Sequence, residues 1–74
     1  MKEYQITENN ITYSVKQYNC GDKYWYLNEK LHRETGPAVE YADGYVEYFY
    51  NGLYIESVNS DFDLKRYIKL LSIS

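Results

Sequence analysis

Only one cluster in this 74-residue chain has the residue types from which a general base or nucleophile is assembled. It comprises His32, the single histidine, with Arg33, Glu34 and the single cysteine, Cys20. An imidazole activates a thiol only within hydrogen-bond reach, whereas Cys20 sits in a Cys-Gly-Asp turn and His32 lies about one strand away. No catalytic residue is assigned. The residue types fit a structural role better, since guanidinium offers a planar fork of donors and imidazole bridges a donor and an acceptor across neighbouring strands. One His and one Cys supply neither a CxxC pair nor an HExxH helix, and there is no glycine-rich phosphate loop. No metal or cofactor is expected. Gly36-Pro37 reads as a turn, because proline fixes φ and keeps Thr35-Gly36 from continuing a strand.

The elements that must position these residues are small. Tyrosine accounts for 11 of the 14 aromatic residues. Without the tyrosines, ordinary apolar side chains are too few for a deep cleft with its own supporting shell, so tyrosine must carry part of the core. A chain of this size hides only about 60% of its unfolded surface. Eleven acidic against eight basic residues, net −3, argue against a phosphate-backbone binder. Met1 to Thr7 contain neither a basic start nor an apolar stretch, and no apolar run reaches the ~20 residues of a membrane span. Cys20 has no internal partner. The expectation is a cytoplasmic protein with no membrane association.

The expected fold is mainly β (α+β), a single domain over 1–74. An antiparallel meander of about six short strands is followed by one C-terminal helix. Strands are expected at 3–7, 11–19, 23–28, 38–42, 45–50 and 53–57, with 1–19 as an N-terminal hairpin. Asp43-Gly44 and Asn51-Gly52 supply the positive φ values of type I′ turns. In 45–50, alternation puts Val46, Tyr48 and Tyr50 on the core face and Tyr45, Glu47 and Phe49 opposite. In 23–28, Trp25 and Leu27 oppose Tyr24 and Tyr26. Both sheet faces then carry rings, and the C-terminus is expected to cover one. Segment 60–72 has Ser60 as N-cap, Asp63 three residues on, and Leu64, Ile68 and Leu71 as an apolar stripe. Its acids precede its bases, in agreement with the helix dipole. Residues 1–63 hold all eleven acids against five bases, a balance of −6, while 64–74 hold +3.

A 23-residue offset places Tyr18 on Tyr41, Gly21 on Gly44, Trp25-Tyr26 on Tyr48-Phe49 and Asn28 on Asn51. This makes 18–58 two hairpin repeats, each unable to bury its face alone. Leu31-His32-Arg33-Glu34-Thr35-Gly36-Pro37-Ala38, then Asp43-Gly44, then Tyr48-Phe49-Tyr50-Asn51-Gly52, resembles a hairpin repeat of many small phage and prophage proteins. That repeat is similar in turn to MORN-variant repeats of some antitoxin-like proteins. The resemblance covers about residues 25–56. It implies structural roles for His32, Arg33, Gly36, Pro37, Asp43, Gly44, Asn51 and Gly52. The chain departs from the pattern where the second His-Arg falls on Ile55-Glu56, where no second Gly-Pro-Ala follows, and where Asn28-Glu29 replaces the first Asn-Gly.

Tyrosine combines a large stiff contact area with a hydroxyl and is enriched at binding hot spots. Tyr4, Tyr13, Tyr24, Tyr26, Tyr45 and Tyr54 are expected to point outward. Interleaved with Glu3, Glu40, Glu47 and Glu56, they would form an acidic aromatic surface for a protein partner, with Tyr24, Tyr26, Tyr45, Glu47, Tyr54 and Glu56 as the partner-binding set. Nucleic acid is not expected there, because stacking rings without Lys or Arg do not hold a polynucleotide. Short length, acidic tyrosine-rich sheet and phage resemblance together imply a non-enzymatic inhibitor of a host or defence protein, in the manner of anti-CRISPR proteins. Alternatives are a nucleotide-binding sponge using Lys30 and Arg33, and an antitoxin or structural repeat protein. Apolar area left exposed on such a sheet also implies an isologous homodimer.

Overall fold

The computed structural model describes residues 1–73. Strands β1 (Lys2–Glu8) and β2 (Ile11–Gln17) form a hairpin, followed by β3 (Lys23–Leu27), β4 (Lys30–Leu31), β5 (Val39–Glu40) and β6 (Val46–Glu47). These six form one antiparallel sheet in the order β1-β2-β3-β5-β6, with β4 paired to β3. A second ribbon pairs β7 (Phe49–Tyr50) with β8 (Leu53–Tyr54), and α1 (Asp61–Ile73) closes the chain. The fold is mainly β with one C-terminal helix, as the strand and helix patterns imply. Among the described residues, no helix is long and apolar enough to cross a membrane.

Three two-residue reversals carry positive φ at both positions: Asn9-Asn10 (49° and 66°), Asn28-Glu29 (52° and 66°) and Asn51-Gly52 (51° and 84°). Asn28-Glu29 thus makes the same primed turn as Asn-Gly despite the glutamate. Hydrogen bonds recur at the 23-residue offset. His32 N–H donates to Trp25 O at 3.1 Å and Ile55 N–H to Tyr48 O at 2.9 Å, while Tyr18 N–H to Asp22 O is matched by Tyr41 N–H to Tyr45 O. β3-β4 and β7-β8 are therefore equivalent hairpins, and β4 is a strand additional to the six expected.

Two cores result. Tyr13, Val15, Trp25 and Ala38 are buried in the first, with Tyr4, Ile6, Ile11, Leu27 and Phe49 packed around them. Tyr48, Ile55, Val58 and Leu64 form the second, with Tyr50, Tyr67 and Ile68. Several expectations are corrected here. Residues 45–50 are two strands, interrupted at Tyr48 where the chain leaves the main sheet for the ribbon. Period-two alternation fails across that break, so Val46 is exposed while Phe49 packs on the Trp25 core. Tyr13 does not point outward: it pairs with Ile6 across the hairpin, shares the core face with Val15, and is fully buried. Tyr4 is half-buried on that same face. The helix covers the second hairpin and not the broad sheet, because Leu64, Tyr67 and Ile68 pack on Tyr48, Tyr50, Ile55 and Val58. Leu71, the third member of the expected stripe, stays at the surface.

The helix starts where expected. Ser60 Oγ accepts from Asp63 N–H at 3.2 Å, which satisfies a donor that the helix N-terminus leaves unpaired, and the Asp63 carboxylate accepts from Asn59 N–H, just before the cap, at 3.4 Å. Tyr48 Oη donates to Asp61 Oδ1 at 3.0 Å and ties the helix start to the second core. Burial, with the Asp61 carboxylate as acceptor, pushes the Tyr48 phenol up to about 12.

Candidate functional site: a tyrosine row opposite a His-Arg knot

His32 and Arg33 lie on the core side. The His32 ring is 1% exposed. Its Nδ1 accepts from Asn51 N–H at 2.9 Å, which puts the proton of the neutral ring on Nε2, and Nε2 donates to Glu34 Oε2 at 2.9 Å. Both ring nitrogens are occupied, and the ring lies 4.6 Å from Tyr50 and 6.4 Å from Tyr13. Since Asn51 belongs to the second hairpin turn, the imidazole links the two repeats. Gly52 N–H donates to Leu31 O at 2.8 Å beside it.

The Arg33 guanidinium lies 3.6 Å from the Trp25 ring centroid. Its Nε and Nη2 donate to Glu8 at 3.2 and 3.1 Å, and its Nη1 donates to Glu40 Oε1 at 3.0 Å and to Pro37 O at 3.2 Å. Thr35 Oγ1 donates to the same Glu8 carboxylate, and Tyr13 Oη accepts from Glu34 N–H at 3.1 Å. Arg33 is thereby consumed inside the protein, which leaves the sponge reading without one of its two cations. Residue types alone did not identify Glu8 as its partner. The signal was an acid on the apolar register of β1, where Tyr4 and Ile6 precede Glu8 and one guanidinium lies within the core.

Gly36 belongs to this knot through close approach. A Cβ there would lie 3.0 Å from Arg33 Nη1 and 3.1 Å from Cζ. Pinned by Trp25 on its other side and by four hydrogen bonds, the guanidinium has nowhere to recoil. Gly36→Ala is expected to cost about 1–2 kcal/mol, read as a lower urea midpoint at unchanged slope.

Hydrogen bonding from Arg33, with help from Thr35, holds the Glu8 carboxyl below its usual 4.5 against the opposing effect of burial. A depressed carboxylate stabilises the fold above its unfolded pKa and loses that contribution as pH falls through the folded value. At the other end, the raised Tyr48 phenol resists ionisation, so its contribution fades as pH rises from 10 toward 12. Melting temperature is expected to plateau between these limits and fall on both sides. Glu8→Gln should flatten the acid limb, and Tyr48→Phe should lessen the alkaline one, to which the raised Tyr41 phenol also contributes.

The opposite sheet face carries the tyrosines. Register places Ser14 across from Tyr26, Lys16 from Tyr24, Tyr24 from Val39, and Val39 from Glu47, so these share a face. Rings run along it: Tyr18–Tyr24 at 5.4 Å, Tyr24–Tyr41 at 6.4 Å and Tyr41–Tyr45 at 5.8 Å. Tyr41 Oη donates to Glu47 Oε1 at 2.6 Å, and this bond is the main reason its phenol is raised. Tyr54 is raised first by desolvation and then by its neighbours Tyr45, Glu47 and Glu56, and its ring lies 5.6 Å from Phe49. Tyr45 and Tyr54, 59% and 51% exposed, end the row. Beside them Tyr45, Glu47 and Tyr54 line an open cleft of about 270 Å³ with Tyr48 and Val58 at its wall.

The fold thus brings Tyr24, Tyr45, Glu47, Tyr54 and Glu56 into one neighbourhood. Tyr26 shares the face, but the Lys16 ammonium lies 5.2 Å over its ring. Tyr18 and Tyr41 are members that strand alternation alone did not select. Their signal was their position: each opens a tight turn, at Gly21 or Gly44, that folds its ring back toward Tyr24. Asp43 and Gly44 form the second of these turns, where Asp43 Oδ1 accepts from Tyr45 N–H at 2.9 Å. No protein family, curated protein or solved structure matches this chain. Cys20 is exposed at the other such turn, and among the described residues no group of three His, Cys, Asp or Glu converges as metal ligands do.

Proposed function

We propose that this protein is a non-enzymatic, phage-type interaction protein that inhibits a host or defence protein in the bacterial cytosol. It grips that protein with the tyrosine row centred on Tyr45, Glu47 and Tyr54. The observation that carries this reading is the continuous line of rings ending in two half-exposed phenols around a carboxylate. Stiff rings lose little side-chain entropy on binding, which is why they anchor interfaces. Glu47 and Glu56 add negative charge and take part in none of the ion pairs among the described residues, so the face suits a partner presenting Lys or Arg. A basic side chain entering the cleft would lie on the Tyr45 and Tyr54 rings and reach Glu47, combining a cation–π contact with an ion pair. The phage-repeat resemblance of residues 31–52 agrees with an anti-defence role.

Because Tyr45 and Tyr54 are exposed, the double substitution Tyr45→Ala/Tyr54→Ala should leave thermal stability close to wild type. It should weaken binding of the protein captured from bacterial lysate at least thirtyfold, the scale of losing one hot spot of about 2 kcal/mol. Equal affinity of the two proteins for the captured partner would refute the assignment of this face.

A further inference from the structure

We propose that β1 is the contact through which two copies of the chain join into one continuous sheet. β1 ends the main sheet, and among the described residues no strand pairs with its outer edge. It is seven residues long, contains neither Pro nor Gly, and pairs with β2 without a bulge from Lys2↔Gln17 to Glu8↔Ile11. Natural sheets normally blunt such an edge with shortness, bulges, proline or charge; of these β1 carries only charge, at its two ends in Lys2, Glu3 and Glu8, with an uncharged stretch from Tyr4 to Thr7. The opposite edge, β6, is only two residues long.

Which backbone groups are open follows from the turn. A two-residue loop makes its flanking residues, Glu8 and Ile11, a hydrogen-bonded pair, and such pairs alternate along an antiparallel ladder. Lys2, Tyr4, Ile6 and Glu8 therefore turn their backbone groups toward β2. Glu3, Gln5 and Thr7 turn theirs to the open side. An antiparallel second copy with its two-fold axis at Gln5 matches this pattern in every position. Gln5 meets Gln5 and Glu3 meets Thr7 as hydrogen-bonded pairs, giving six new backbone bonds. Tyr4 meets Ile6 on the core face and extends the first core across the junction. Lys2 meets Glu8, so the one cation of the strand faces an acid, and Thr7 separates Glu3 from a like charge. A shift of two residues in either direction forfeits the Lys2–Glu8 match and shortens the ladder.

The test uses the full-length chain. Sedimentation at tens of micromolar should give a dimer, and Gln5→Lys, which sets two ammonium groups face to face at the axis, should raise the dissociation constant at least tenfold. Gln5 is exposed, so circular dichroism should be unchanged. Register is read in a Cys20→Ser background. Across a hydrogen-bonded pair the Cα atoms stand about 5.5 Å apart, within disulfide range, so Gln5→Cys should oxidise to a covalent dimer. Thr7→Cys should not, because its mate lies four residues along the strand, about 13 Å away. A wild-type monomer at these concentrations, a dimer indifferent to Gln5→Lys, or equal cross-linking at positions 5 and 7 would each overturn the proposal.

Discussion

Arg33→Ala is expected to lower the unfolding free energy by about 3 kcal/mol, with a fall in melting temperature of about 12–24 °C for a domain of this size. The guanidinium satisfies Glu8 with two bonds and Glu40 and Pro37 O with one each, while its Cζ lies 3.6 Å from the Trp25 ring centroid. Truncation leaves the Glu8 carboxylate with Thr35 as its remaining donor and opens a space above the indole. Removing one partner of a buried pair typically costs about 3–5 kcal/mol. The lower end applies because Glu8 and Glu40 keep 27% and 34% of their side-chain surface in solvent. Arg33→Lys separates charge from shape. An ammonium cannot serve both oxygens of Glu8 and also reach Glu40 and Pro37 O, so about half of the loss should remain. Against a total stability of about 4–11 kcal/mol for 74 residues, the alanine variant sits near the limit of folding. Chemical denaturation of the three proteins checks the order.

His32→Ala should cost about 3–4 kcal/mol, and its effect should be concentrated in the second hairpin. The ring is fully buried, so its removal leaves a cavity, and it strands the Asn51 N–H that Nδ1 accepts. His32→Phe keeps most of the volume and loses both hydrogen bonds, so it should retain about 2 kcal/mol of the destabilisation. Amide exchange locates the defect. Asn51 and Gly52, which dock on His32 and on Leu31 O, should lose protection in both variants, while Tyr13 and Val15 amides in the N-terminal hairpin keep theirs. Uniform loss across the sheet would show that the imidazole does not act as the clasp between hairpins.

How far these features were legible depended on whether their cause was local. Turn chemistry was legible because positive φ selects Asn and Gly at Asn51-Gly52, and the 23-residue offset was visible in Tyr18/Tyr41 and Gly21/Gly44. Helix α1 was legible because Ser60, Asp63 and Leu64 act within one turn. Tyr13 was not, since its burial depends on Glu34 N–H, 21 residues away, donating to its phenol oxygen. The break at Tyr48 was hidden for a similar reason: a run of aromatic residues satisfies strand propensity in either sheet, and only the competing cores decide where it divides. For the site, Tyr24, Tyr45, Glu47 and Tyr54 were readable from alternation. Tyr18 and Tyr41 join the row through turns, which alternation does not describe. Glu8 required the tertiary position of a single arginine.

The division between an inward knot and an outward binding face is tested most directly by site-specific photo-cross-linking in bacterial cells. A benzophenone side chain would replace Tyr45, Tyr54 or, as a control on the exposed side of α1, Arg66. Positions 45 and 54 are expected to give the same discrete adduct with one cellular protein, and position 66 none. The account is contradicted if positions 45 and 54 yield no adduct, or if position 66 captures a partner that they do not.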